Sequence, residues 1–133
     1  MPVTTDDYVS ISDFLGRYCW KVDEGDEEGW AALWTEDGVF SGVMPEPVVG
    51  REALKAIPRD AYAGLGGRLR HLTGSLYCDY EGGGKDVVIA RYYNLVTNWK
   101  AGGAFTCMGV STARLLRNGD SWLINRNDTV MLI

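Results

Sequence analysis

The chain has 133 residues, enough for one domain that buries roughly two-thirds of its unfolded surface. Its 18 acidic residues against 13 basic ones give a formal net charge of −5, and the scattered basic residues argue against nucleic acid or an anionic membrane as a partner. No apolar run approaches the roughly 18 residues a membrane span needs, and the polar, acidic start MPVTTDDYVS does not read as a secretory signal. Cys19, Cys78 and Cys107 are odd in number and far apart. They read as buried thiols of a cytoplasmic protein, not as a disulfide framework or zinc site. With a single histidine, His71, a metal site built by protein side chains alone is not expected.

Thr4, Thr5 and Asp6 offer N-caps for a first helix whose apolar residues fall at Ile11, Phe14, Leu15, Tyr18, Cys19 and Val22. Gly25 ends it. Asp26 caps a short second helix through Trp30, Leu33 and Trp34, which the turn TEDG at 35–38 closes. A short strand at 39–44 is broken by Pro45 and Pro47. Residues 50–57 form a third short helix that Pro58 terminates. Long stretches rich in Val, Thr, Tyr and Trp follow at 68–80, 86–99, 104–117 and 121–132, separated by EGGGK, KAGG and RNGD. Such short Gly-rich separators predict antiparallel hairpins. Helices first and strands afterwards predict a single α+β domain over 1–133, with three N-terminal helices packed on a strongly curved, mostly antiparallel sheet. A cone-shaped cavity then lies between the layers, and Gly74 and Gly109 mark expected bulges or bends.

Two features stand out as candidate chemistry. On the strand at 68–80, Leu69, His71, Thr73, Ser75 and Tyr77 share one face, while Leu72, Leu76, Cys78 and Tyr80 share the other; either face can be the inner one. A lone strand histidine is core filler, surface or the centre of a site. Asp23, at the end of the first helix, is either the edge of the buried face or a solvated acid in the run Asp23-Glu24-Gly25-Asp26-Glu27-Glu28. Tyr18, one turn earlier, reads as a core aromatic.

The phrases RYCWKVDEGDEEGWAALWTEDGVF, GREAL, RHLTG and RNGDSWLINR, in that order, resemble the SnoaL-like branch of the nuclear transport factor 2-like superfamily over about residues 8–130. The resemblance implies an α+β cone. Similar enzymes include scytalone dehydratase, lindane dehydrochlorinase and bile-acid 7α-dehydratase, which share an Asp–His pair. Asp23 and His71 match its two positions, 48 residues apart, and Tyr18 matches the tyrosine five residues before the aspartate. A second active-site histidine of scytalone dehydratase has no counterpart. Arg126 lies near the last-strand arginine of some relatives, and a one-residue slip of register turns it outward.

The implied function is a cofactor-free lyase or isomerase acting on a small, apolar, cyclic molecule. Imidazole titrates near pH ~6.5, so it is an effective base at neutral pH, and a carboxylate on its other nitrogen fixes the tautomer. In that scheme His71 is the base, Asp23 orients it and Tyr18 polarises the substrate. Trp34, Tyr92, Phe105 and Arg126 are expected at the substrate, with Trp30 and Trp99 as further aromatic walls. The rivals are a non-catalytic binding or assembly module and an isomerase with Asp23 itself as base. The resemblance also implies a homo-oligomer, dimer or trimer.

Overall fold

A computed structural model describes residues 1–133. Helix α1 spans Thr5–Asp23; the Thr4 hydroxyl accepts the Asp7 N–H at 3.2 Å, and Asp6 and Asp7 occupy the first turn, where the helix dipole favours acids. Its buried stripe is the apolar one read from the sequence, extended to Asp23. The helix ends in a Schellman motif: the Asp26 N–H donates to Lys21 C=O at 3.0 Å, and the Gly25 N–H to Val22 C=O at 3.2 Å. Gly25 adopts φ +70, and a Cβ there would lie 2.8 Å from the Tyr62 side chain. Only glycine fits this chain reversal.

Helix α2 is Glu27–Ala31, capped by Asp26 Oδ1, which accepts the Gly29 N–H at 2.9 Å. Trp34 does not belong to it: strand β1 runs Trp34–Ser41 and absorbs the expected turn at 35–38. Trp34 pairs with Ile124 and Val39 with Arg126, so 35–38 form a bulge inside the strand. Strand β2 is Val48–Val49. The third helical stretch is longer than expected and broken in two, α3 at Arg51–Leu54 and α4 at Ala56–Leu65. Pro58 opens α4 rather than ending α3. In the first turn its missing N–H removes no helical bond, because that donor has no partner there anyway.

Strands β3 (Leu69–Tyr80), β4 (Val87–Asn98), β5 (Ala104–Asn118) and β6 (Ser121–Met131) pair as successive antiparallel hairpins. The sheet order is β2-β1-β6-β5-β4-β3, with β1 parallel to β6, and the sheet does not close on itself. The fold is thus α+β, a curved sheet with helices across its concave face. The core there is led by Trp30, Trp34, Trp122, Ile11, Leu15 and Leu115, all essentially inaccessible. No helix is long and apolar enough to cross a membrane.

Bulges decide which side chains face inward. Between Gly74 and Tyr77 the β3 register shifts, with Ser75 at φ +53. Leu69 and His71 face the cavity before the shift, whereas Leu76, Cys78 and Tyr80 pack on the core after it. Both faces of the strand are therefore inner ones, in turn. Thr106 on β5 and Asn125 on β6 are likewise extra residues against β4 and β5. Gly109 is no bulge; a Cβ there would sit 2.8 Å from Thr129 Cγ2, so glycine lets the Thr129 side chain of the next strand close over it.

Candidate active site

The end of α1 lies against β3, the free edge of the sheet. An edge strand leaves alternate N–H groups unpaired. The His71 N–H is one of them, and it donates to Asp23 Oδ2 at 2.9 Å. The other carboxylate oxygen, Oδ1, lies 2.6 Å from His71 Nδ1. Asp23 is 7% exposed and the His71 side chain 20%. With Nδ1–H donating to the carboxylate, Nε2 is left as the free lone pair, and no protein group bonds it.

His71 borders a cavity of about 360 Å³ between the sheet, α1 and α4. Tyr18, Val22, Trp30 and Phe40 form its inner wall, and Val43, Met44, Ile57 and Asp60 its mouth. The wall is stiffened by a cluster of tilted aromatic rings. Tyr18 and Trp30 centroids are 5.3 Å apart, and so are those of Trp30 and Trp34. The Tyr18 hydroxyl makes no hydrogen bond within the protein. Burial, then the neighbouring Tyr92 and Cys19, push its pKa well above the usual phenol value, so it stays a donor.

Four residues expected at the substrate sit elsewhere. Trp34 is wholly buried behind Trp30. Tyr92 lies in the core beneath the cavity, its hydroxyl accepting from Asn127 Nδ2 at 3.0 Å. Phe105 is 53% exposed, because the extra residue Thr106 turns it away from the face that Cys107 and Gly109 share. Arg126 is turned outward by the Asn125 bulge and pairs with Asp128 at 2.8 Å. Trp99 is exposed as well. Cys19 and Cys78 are buried thiols as read, but Cys107 is only partly buried and borders the cavity.

The sequence reading missed a polar ladder crossing the sheet beneath the cavity. Asn94 Nδ2 donates to Ser111 Oγ at 2.6 Å, Ser111 Oγ and Thr129 Oγ1 are 2.8 Å apart, and Thr129 donates to Asn127 Oδ1 at 3.1 Å. Because the single Thr129 proton goes to Asn127, Ser111 donates to Thr129. Asn94 Oδ1 is buried with no partner. Asn94 and Thr129 border the cavity. Their signal is an asparagine on an inward face otherwise held by Val88, Ala90, Tyr92 and Val96.

Residues 3–128 match the family model of the SnoaL-like domain, and the chain belongs to that family. Its structure is similar to that of Rv3472 from Mycobacterium tuberculosis, a protein of unknown function. The two are 30% identical with a TM-score of 0.82, over 93% of this chain and 70% of that one. Aln2 from a Streptomyces species superposes with a TM-score of 0.87 at 22% identity, over 98% and 94% of the two chains. A candidate scytalone dehydratase from Novosphingobium aromaticivorans gives a TM-score of 0.80 at 18% identity, over 98% and 89%. The latter two likenesses speak to fold alone. Among curated protein sequences none matches this chain.

Proposed function

We propose that the protein is a cofactor-free lyase of the dehydratase type, acting on a small, largely apolar cyclic carbonyl compound. The observation that carries this reading is the pair of hydrogen bonds from His71 to Asp23, with the free Nε2 at an apolar cavity that the unbonded Tyr18 side chain also lines. His71 Nε2 takes a proton from the carbon next to the carbonyl, and Tyr18 O–H holds the enolate oxygen. Expulsion of a β-hydroxyl group, protonated by the imidazolium, then gives an enone and water. With a β,γ-unsaturated ketone the same first step gives a dienolate, and return of the proton from the imidazolium to its γ-carbon gives isomerisation.

Asp23 orients the ring and balances the imidazolium. A scheme with Asp23 as the base is disfavoured, because both its oxygens are engaged by His71. Exposed Leu72, Tyr77, Tyr93 and Val130 on the strands support a homo-oligomer that covers the outer face of the sheet.

The test is a screen of cyclic β-hydroxy ketones and polyketide-like compounds with wild type and His71→Ala. Loss of the base is expected to lower kcat/KM about a hundredfold or more. Turnover that survives the substitution overturns the mechanism.

A further inference from the structure

The charges around the cavity carry information about its ligand. Of the residues that border it, none is a lysine or arginine, and Asp60 at the mouth is the one acidic side chain. Three cations on neighbouring segments are committed elsewhere, and Arg68, which makes no ion pair, does not border the cavity. Lys55 lies 2.9 Å from both Glu28 and Glu52, and Arg59 pairs with Glu27. The Arg70 guanidinium donates to the backbone carbonyls of Gly67 and Leu69. At the inner end stands the buried Asp23 carboxylate behind His71. Carboxylates thus sit at both ends of an apolar chamber.

An anion entering it loses its hydration and meets no counter-ion; the buried Asp23 repels it where screening is poor, and Asp60 repels it at the solvated mouth. The chemistry leads the same way. Proton abstraction next to a carboxylate would generate a second negative charge, with hydrogen-bond donors alone to hold it. A neutral ketone needs one donor at its oxygen, which Tyr18 supplies.

We infer that the site takes only uncharged carbonyl compounds, and that Asp60 is a specificity-determining residue that turns away carboxylates and phosphate esters at the mouth. This rests on the elimination reading for its choice of carbonyl, but its charge rule is testable by binding alone. Calorimetric titration of the full chain near pH 7, where carboxylic acids are ionised, compares methyl naphthyl ketone with the nearly isosteric naphthoate. The ketone is expected to bind at least about tenfold more tightly. Asp60→Asn and then Asp60→Lys narrow that ratio stepwise by raising naphthoate affinity. Slower labelling of Cys107 by a thiol reagent in the presence of ketone places the ligand in the cavity.

Naphthoate binding as tightly as the ketone, or no saturable ketone binding, overturns the inference. A ratio unmoved by Asp60→Lys removes the role of Asp60. Ketone binding without turnover of any β-hydroxy ketone leaves the charge rule standing and retires the lyase reading.

Discussion

Asp23 holds both the side chain and the backbone of His71, at 2.6 Å through Nδ1 and at 2.9 Å through the amide. The two bonds serve different ends, so two substitutions separate them. Asp23→Asn keeps an acceptor for the amide but removes the charge that stabilises an imidazolium. It is expected to fold nearly as well as wild type and to lose about a hundredfold or more in kcat. Asp23→Ala also leaves the His71 N–H unpaired, which costs about 1–3 kcal/mol in denaturant unfolding. Equal stability of the two variants would show that the amide bond contributes nothing.

Spectrophotometric titration of the phenols is expected to show two tyrosines that ionise late, because burial raises the pKa of Tyr18 and Tyr92. Tyr18→Phe should remove one of them. The sign is that of a raised folded value: these groups stabilise the fold below the unfolded phenol pKa of 10.0, and that stability drains away as pH rises beyond it.

Thiol labelling of the native protein should find one accessible cysteine. Burial pushes Cys19 up to about 12, helped by the Asp23 charge, and Cys78 up to about 11, helped by Asp79. Cys107, only partly buried at the cavity wall, reacts first, and Cys107→Ser abolishes the fast phase. Three equal slow phases would mean that the cavity is closed to small reagents.

Acid stability depends on a pair far from the site. Arg117 Nη2 donates to Asp7 Oδ2 at 2.7 Å, and the guanidinium sits 4.5 Å from the Trp122 ring centroid. The hydrogen bond from Arg117 holds the Asp7 carboxyl below its ordinary value of 3.8, against the opposing effect of burial. The contribution is complete above that unfolded value and is lost as pH falls through the lower folded one. Arg117→Met is expected to cost about 2 kcal/mol near neutrality. Measured against wild type, that deficit should shrink in acid unfolding curves near pH ~3.

Much of this architecture is legible in the residues. The apolar stripe from Ile11 to Val22 fixes α1 and the face it buries, and the Gly-rich separators fix the hairpins. Asp23 and His71 are legible only through resemblance, since neither the acidic run nor the strand pattern distinguishes them from surface and core. What period-two reading loses is the count of residues at a bulge. One extra residue at Thr106 turns Phe105 out, and one at Asn125 does the same to Arg126. Helix α4 is lost for a different reason: a proline reads as a stop unless the residues beyond it are recognised as a new first turn.

The close packing of Tyr62 on Gly25 joins two parts of the molecule that are usually thought of separately. Tyr62 belongs to the helix flanking the entrance, and Gly25 to the reversal two positions beyond the aspartate that seats the imidazole. The helix beside the entrance therefore packs directly on the turn that follows the base-holding aspartate. A side chain at position 25 would press on Tyr62 and disturb the turn behind Asp23, whereas Val43, Met44 and Ile57 border the cavity and can be resized to broaden ligand tolerance without touching that turn.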